Sequence, residues 1–285
     1  MSFISPLAVH RSRKLIPSFR LHRPMGAAEA VAMKAAAGTG AAFIAGGIDV
    51  INRLKFGAPI NDLIYLGGIA GLDRIDADGS ELRLGSLVTH DQLATSPLLR
   101  ETLPGLAETW SDVANIRIRC KGTVGGNIMA GDPAYDFALA AAACGARLRF
   151  LLPDGGSTTV PASELSDLCD AGVLTTIVFP QAAACHLIFD RSLRPVVTIA
   201  IGLDRRSDTI IGGRLAIGCA YKRPLAIDLP LAAPLAPRDL AARAAALATA
   251  ATAALPEPIS DYHGTGAYRR RMIGVLLRRQ LSALA

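Results

Sequence analysis

The feature that most constrains the fold is a pair of adjacent glycines, Gly46-Gly47, between a short apolar run and a helical pattern. Residues 41–45 have the length of a buried strand, and residues 49–54 have apolar positions at helical spacing. Adjacent glycines free the backbone to present successive N–H groups, and the following helix adds the positive end of its dipole. This order predicts either a pyrophosphate cradle or a plain tight turn.

The residues around this turn exclude two common phosphate-binding folds. No Gly-Lys-Ser or Gly-Lys-Thr follows it, as a P-loop requires. Nor does a G-x-G-x-x-G stand there with an acidic residue on a second strand, as the Rossmann fingerprint requires. A dinucleotide bound at this turn is therefore held by a different fold.

A second glycine cluster follows at residues 122–127, Gly-Thr-Val-Gly-Gly-Asn. Its glycines allow close backbone approach, while Thr123 and Asn127 add side-chain hydrogen-bonding capacity. Asp136 stands where a helix is predicted to begin. Its carboxylate is suited to accept hydrogen bonds from ribose or ribityl hydroxyls, or to cap that helix, and the two roles are compatible.

Composition indicates a folded globular protein. The chain has 285 residues, of which 51% are hydrophobic and 19% charged, enough for two compact lobes with a sizeable core. No apolar run reaches the roughly 18 uncharged residues of a membrane span. The longest candidate, residues 137–146, is typical of a buried helix.

The net charge of +6 raises the question of nucleic-acid binding. The positive residues concentrate near the two ends: His10, Arg11, Arg13, Lys14, Arg20 and Arg23, then Arg269, Arg270, Arg271, Arg278 and Arg279. Neither run has interleaved aromatic residues for base stacking, so a solvated face or a subunit contact is favoured over nucleic acid. The basic residues 10–14 also interrupt the layout of a secretory signal.

Five cysteines lie far apart, at positions 120, 144, 169, 185 and 219. They form no C-x-x-C pair and do not match the C-x4-C-x2-C spacing of a plant-type [2Fe-2S] centre. The histidines are equally scattered, so no metal site is predicted. Any redox chemistry must then be carried by an organic cofactor, and a reduced cytoplasmic location is expected.

The chain as a whole predicts an α+β architecture with a boundary near Pro180 and no internal repeat. Helices are predicted over residues 24–38, 49–54, 136–144, 239–254 and 268–285, with two short helices within 89–110 separated near Pro97 and Pro104. Strands are predicted over residues 41–45, 61–66, 82–84, 148–152, 158–160, 174–179, 186–191, 196–203 and 215–221, with a hairpin turn at Asp78-Gly79 and the last three antiparallel.

Taken together, the two glycine clusters resemble the paired FAD-binding loops of the molybdopterin dehydrogenase flavin family. The resemblance runs nearly end to end. Its further motifs, in order, are residues 19–24 with Glu29-Ala30, residues 115–117, residues 218–220 with Arg223-Pro224, and residues 268–271 with 276–279. This family includes the medium subunits of carbon monoxide, nicotine, quinoline and caffeine dehydrogenases and the flavin domain of xanthine dehydrogenase.

The resemblance implies a two-subdomain FAD-binding fold of the PCMH type followed by a small α+β domain with an antiparallel sheet and helices. The expected boundaries are 1–181 for the FAD-binding domain, with α+β subdomains at about 18–75 and 76–181, and 182–285 for the C-terminal domain. It implies FAD contacts at Ala45, Gly46, Gly47, Ile48, Asp49, Thr123, Val124, Gly125, Gly126, Asn127, Asp136 and Leu174. Leu174 is equally compatible with an ordinary core position.

For function, the resemblance implies a cytoplasmic electron relay with no catalytic residue for substrate hydroxylation on this chain. A large molybdopterin subunit would hydroxylate an N-heterocycle or similar small molecule. A small subunit with two [2Fe-2S] clusters would then pass electrons to this FAD and on to an external acceptor. The expected assembly is a dimer of heterotrimers.

The sequence departs from the family pattern at two places. Ile48 stands where many relatives have Thr or His, so phosphate contact there rests on backbone N–H groups. Residues 189–191 and 194–195 replace the stretch that often carries a Lys or Tyr near the flavin ring. These two departures favour one alternative, a flavin-free assembly subunit. A second alternative, a self-sufficient flavin oxidoreductase, also stays open.

Overall fold

The computed structural model describes residues 15–165, 172–180, 182–190 and 195–284, without the side chain of residue 183. The predicted basic residues 10–14, Cys169, and positions 191 and 194 of the flavin-ring stretch lie outside the described residues. Within the described part, no helix is both long and apolar enough to cross a membrane.

The first unit is a three-stranded parallel sheet with strand order β1-β3-β2. Its elements are β1 (Arg20–His22), α1 (Ala27–Ala37), β2 (Ala41–Ile44), α2 (Ile48–Lys55) and β3 (Asp62–Tyr65). Helices connect strands that run in one direction, as parallel pairing requires. The Gly46-Gly47 pair therefore lies between β2 and α2, as predicted.

A buried carboxylate ties the edge strand of this sheet to its centre. Asp62 on β3 accepts hydrogen bonds from the Arg20 guanidinium at 2.7 Å for both Nε and Nη2, and its Oδ1 lies 2.7 Å from His22 Nε2. Both partners belong to β1. The hydrogen bonds from Arg20 and His22 hold the pKa of Asp62 at about 2, well below its usual range.

The second unit is a five-stranded antiparallel sheet, order β4-β5-β8-β6-β7, with short helices inserted between β5 and β6. The strands are β4 (Ile75–Asp78), β5 (Glu81–Gly85), β6 (Arg147–Leu151), β7 (Ser157–Pro161) and β8 (Val173–Phe179). The helices are α3 (His90–Thr95), α4 (Pro97–Thr102), α5 (Pro104–Asp112), α6 (Ile116–Arg119), α7 (Val124–Met129) and α8 (Asp136–Ala143). Trp110 and Phe137 meet edge to face in its core, 5.1 Å between ring centroids.

The third unit is a four-stranded antiparallel sheet, order β12-β11-β10-β9, covered by helices. Its elements are β9 (Cys185–Asp190), β10 (Thr198–Arg206), β11 (Thr209–Gly218), β12 (Leu225–Asp228), α9 (Pro237–Ala242), α10 (Ala244–Ala253) and α11 (Gly266–Ser282). Arg269 of α11 is buried, where it donates to the Cys219 carbonyl oxygen and to Asp261. These bonds fix the last helix onto the end of β11.

Helix α8 joins the second and third units. All its residues except Ala138 are buried, and it packs against β10 and β11. Such close packing is possible because the helix consists largely of alanine and because β10 has a glycine opposite its end. A Cβ at Gly202 would overlap the Ala143 carbonyl oxygen. Arg214 of β11 donates from Nε to that same oxygen at 3.0 Å, which satisfies one of the unpaired carbonyls at the end of α8.

The predicted α+β class, with an antiparallel sheet and helices in the C-terminal part, is confirmed. Three details were wrong. Residues 89–110 form three short helices and not two, because Pro97 and Pro104 each begin a new helix at its first position. Residues 239–254 belong to two helices that meet at Arg243. The short edge strands β1, β4 and β12 were not predicted.

We expect Gly202→Ala to lower the free energy of unfolding by roughly 1–3 kcal/mol, because its methyl group forces α8 away from β10. The matched control is Gly68→Ala, where a Cβ meets no heavy atom within 4 Å. Urea denaturation of both variants measures the difference. Equal stability of the two variants would contradict the close packing described here.

Candidate functional site

A cleft of about 420 Å³ lies between the first and second units. It brings together two sequence regions more than seventy residues apart, since both glycine clusters contribute to its walls. The predicted site residues that line it are Ala45, Gly46, Gly47, Ile48, Asp49, Thr123, Gly125, Gly126, Asn127, Asp136 and Leu174. Val124, the remaining predicted residue, is fully buried in the core beside the cleft.

The first glycine cluster is shaped by two backbone requirements that only glycine meets. Gly47 has φ 76° and stands at the N-cap of α2, in the left-handed region that disfavours side chains. Gly46 packs so closely that a Cβ there would overlap the carbonyl oxygen of Lys121. No side chain caps α2. The first N–H groups of a helix have no partner within it, so this end of α2 suits an anion.

The second glycine cluster forms most of helix α7, where a loop was predicted. Its amides, unlike those of the first cluster, are already used inside the protein. The acceptors for the amides of residues 124, 125, 126 and 127 are Val88 O at 2.9 Å, Ser86 O at 2.9 Å, Thr123 Oγ1 at 3.0 Å and Thr123 O at 2.9 Å. This cluster thus contributes close packing and side chains to the cleft.

Helix α8 begins at the cleft, and its N-terminus is capped from the second cluster. The Phe137 amide donates to Asn127 Oδ1 at 3.1 Å. Asp136 is the first residue of the helix, Tyr135 is its N-cap residue, and no capping bond from the Tyr135 side chain is present. The buried Asp136 side chain lines the cleft.

A hydrogen bond across the cleft connects the two units. Tyr135 donates from its hydroxyl to Asp49 Oδ1 at 3.5 Å, which links the start of α8 to the start of α2. Burial, together with the carboxylates of Asp49 and Asp132, raises the pKa of Tyr135 to about 12. Burial also raises the pKa of Asp49. Tyr135 was not predicted as a site residue, because no local motif marks a contact 86 positions away.

His90 was also missed, although it lines the cleft beside the second glycine cluster. Trp110 donates from its indole N–H to His90 Nδ1 at 3.0 Å. Because an indole nitrogen only donates, Nδ1 carries no proton, and the proton of the neutral ring lies on Nε2. Burial lowers the pKa of His90 to about 4, so the ring is neutral near pH 7.

Ser86 and Leu174 complete the wall formed by the five-stranded sheet. Ser86 is buried, and its hydroxyl has no hydrogen-bond partner among the described residues. Leu174 on β8 belongs to the main core and also lines the cleft, so its two predicted roles coincide in one position. Arg53 is the cleft-lining residue with a permanent positive charge. No cluster of three or more His, Cys, Asp or Glu side chains suited to a metal occurs among the residues that the structure describes.

Comparison with known proteins agrees with this geometry. Residues 17–182 match the family described as the FAD binding domain in molybdopterin dehydrogenase. The carbon monoxide dehydrogenase medium chain of Afipia carboxidovorans is 30% identical over 93% of this chain and 96% of that protein. The nicotine 6-hydroxylase medium subunit of Paenarthrobacter nicotinovorans is 28% identical over 77% and 80%.

Solved structures are similar over nearly the whole length. Carbon monoxide dehydrogenase from Hydrogenophaga pseudoflava, in a form that lacks the Mo-pyranopterin moiety of its molybdenum cofactor, has a TM-score of 0.81 and 26% identity, over 93% of this chain and 96% of that one. Quinoline 2-oxidoreductase from Pseudomonas putida 86 also has a TM-score of 0.81, with 25% identity over 95% and 98%. The structural likeness extends beyond residue 182, through the C-terminal sheet and its helices.

The buried His90 predicts a loss of stability in mild acid. An imidazole with the ordinary pKa of 6.5 binds a proton in the unfolded chain before the folded one does, since the folded pKa is about 4. Stability is therefore fully present above pH 6.5 and falls as the pH decreases toward 4. Between pH 7.5 and pH 5 the loss attributable to His90 is roughly 2 kcal/mol.

We expect His90→Gln to remove this part of the pH dependence, because its amide oxygen still accepts from Trp110 but does not titrate. Urea denaturation at the two pH values measures it. The control is His263→Gln, which makes the same substitution at an exposed position. A His90→Gln variant as acid-sensitive as the wild type would contradict the assignment.

Proposed function

This chain belongs to the family of FAD-binding domains in molybdopterin dehydrogenases, and on that premise we propose that it relays electrons within a molybdenum hydroxylase complex. It is a medium subunit of this oxidoreductase family, with FAD as the cofactor on this chain. In the proposed complex it receives electrons from two [2Fe-2S] clusters of a small subunit. It delivers them to an external acceptor, while a large molybdopterin subunit hydroxylates the substrate.

The observation that carries this proposal is the meeting of both glycine clusters in one cleft. The uncapped start of α2 offers backbone N–H groups and a positive dipole end to the diphosphate of FAD. Gly46 and Gly47 provide the close approach that a larger residue would block. On the opposite wall, the Ser86 hydroxyl is buried and has no hydrogen-bond partner among the described residues. The cleft therefore fits the cofactor.

The proposed contacts are the predicted residues that line the cleft, from Ala45 to Asp49, from Thr123 to Asn127, and Asp136 with Leu174. Val124 is left out because its side chain is in the core and its amide already donates to Val88. Asp136, whose buried side chain lines the cleft, is the proposed acceptor for a ribose or ribityl hydroxyl.

FAD supplies the redox chemistry when bound, because it accepts electrons singly and releases them in pairs. The chain's own residues bind and orient it. The two cleft residues with the most altered pKa values, His90 and Tyr135, are both neutral near pH 7. Both groups therefore line the cleft without adding a charge to it, which agrees with a cofactor-binding role.

We further propose the domain division 1–181 and 182–285, with subdomains at about 18–75 and 76–181, which follows the three sheets. The proposed setting is the cytoplasm, in a dimer of heterotrimers. The relatives include medium subunits of enzymes that are named for two different small molecules, carbon monoxide and nicotine. Substrate choice is thus assigned to the large subunit, with an N-heterocycle or similar small molecule as the proposed class.

Ile48 is a better position than Gly47 for a test of the first-cluster assignment. Any side chain at Gly47 would strain the backbone, which has φ 76° there. We expect Ile48→Glu to weaken FAD binding at least tenfold, or by about 1.4 kcal/mol, through repulsion of the diphosphate. A carboxylate in the first turn does not destabilise the helix. The control Asn52→Glu adds the same charge on the exposed side of α2.

FAD affinity is measured by quenching of flavin fluorescence on titration of the apoprotein. Wild-type protein that binds no FAD would refute the relay altogether and favour a flavin-free assembly subunit. Equal affinity in the two glutamate variants would refute only the placement of the diphosphate.

The complex itself gives a second test. An affinity-tagged chain purified from its native cells should bring two further subunits, with iron and molybdenum in fixed ratio to flavin by elemental analysis. The flavin of the isolated chain should stay oxidised with carbon monoxide, nicotine or quinoline. Full FAD loading without iron or molybdenum would contradict the proposal. Loss of the visible flavin absorption when a substrate is added to the isolated chain would support a self-sufficient oxidoreductase.

A further inference from the structure

We propose that His90 is an additional FAD-binding residue, whose Nε2–H donates a hydrogen bond to the cofactor from the wall opposite α2. This inference rests on the proposed function, since it takes FAD as the ligand of the cleft. It assigns a polar contact outside both glycine clusters, at the first residue of α3.

The need for such a donor follows from the second glycine cluster. All four amides from Val124 to Asn127 donate to acceptors within the protein at 2.9–3.0 Å. Asn127 also uses its side-chain oxygen to cap α8. These four amides are therefore engaged within the protein, and a side-chain donor would add to what this wall offers a ligand.

His90 is held so that one edge of its ring remains available. Its backbone amide donates to the Gly122 carbonyl oxygen at 3.0 Å, and its Nδ1 accepts from Trp110 at 3.0 Å. The ring is thus fixed at two points, with the proton on Nε2. Its outer edge faces the start of the second glycine cluster, where a Cβ at Gly122 would lie 3.4 Å from Nε2.

Nε2 is unpaired yet still reachable from the cleft. It makes no hydrogen bond to any described residue. The fully enclosed side-chain polar atoms without a partner, in the part of the chain that the structure describes, are Ser86 Oγ and Arg269 Nε. Nε2 also lacks a partner but is not one of these enclosed atoms, so it retains some exposure. His90 lines the cleft. A fixed, neutral donor at the wall of a cofactor cleft has the geometry of a binding group.

Two variants separate this role from a structural one. His90→Leu and Trp110→Phe both break the buried His90–Trp110 hydrogen bond, so both should lower the melting temperature of the apoprotein. Only His90→Leu removes the imidazole donor. We expect it to weaken FAD binding by about three- to tenfold, the worth of one hydrogen bond. Trp110→Phe keeps the imidazole but no longer fixes its tautomer, so we expect a smaller loss of FAD affinity than in His90→Leu.

The measurements are FAD titrations of the full-length apoprotein by flavin fluorescence and thermal unfolding of each variant. Equal weakening in both variants, or none in His90→Leu, would overturn the proposal. A wild-type protein that binds no FAD would refute the proposed function as well as this inference. A wild type that binds FAD, with either variant result above, would refute only the role of His90.

Nitrogen NMR of the wild-type histidine rings provides a test that does not depend on the folding of variants. The apoprotein should show the Nε2–H tautomer for His90, and addition of FAD should shift that signal and slow the exchange of its proton. An Nδ1–H tautomer, or a signal that FAD leaves unchanged, would overturn the proposal.

Discussion

The close contact between α8 and the C-terminal sheet is the constraint on which the rest of the structure depends. Alanine side chains and Gly202 let the helix approach the sheet to within backbone contact, and Arg214 completes the bonding of its last turn. The N-terminus of the same helix lies at the cleft, where the Phe137 amide donates a hydrogen bond to Asn127 Oδ1. One short buried helix therefore ties the wall of the cleft to the C-terminal sheet.

The two walls of the cleft differ in the way they present hydrogen-bond donors. At the start of α2 the donors are backbone amides, since no side chain caps this helix. At α7 the amides of residues 124–127 are engaged, and the side chain proposed as a donor on this wall is His90. In the proposed role, the first wall suits a diphosphate, which binds many amides at once. The second suits individual oxygen or nitrogen acceptors of the cofactor.

The sequence predicted those parts of the site that local chemistry determines. Gly46-Gly47 stood out as a glycine pair between a strand and a helix, a pattern open to a plain tight turn as well as a phosphate cradle, and Gly47 has the positive φ that such a turn requires. The same rule failed at residues 124–129, where Thr123 supplies a cap that allows a helix despite two glycines. The bonds of Asp49 to Tyr135 and of His90 to Trp110 join residues 86 and 20 positions apart. Such pairs depend on how distant parts of the chain pack together, which a single sequence does not reveal.

The order of strands in the five-stranded sheet has a consequence for biosynthesis. Strand β8, which carries Leu174, lies between β5 and β6 in the sheet although it is made last of the five. During translation the first glycine cluster leaves the ribosome well over a hundred residues before this central strand does. The cleft of the nascent chain therefore stays incomplete until β8 inserts between β5 and β6. Cofactor loading is accordingly a late event, which follows synthesis of almost the whole FAD-binding domain.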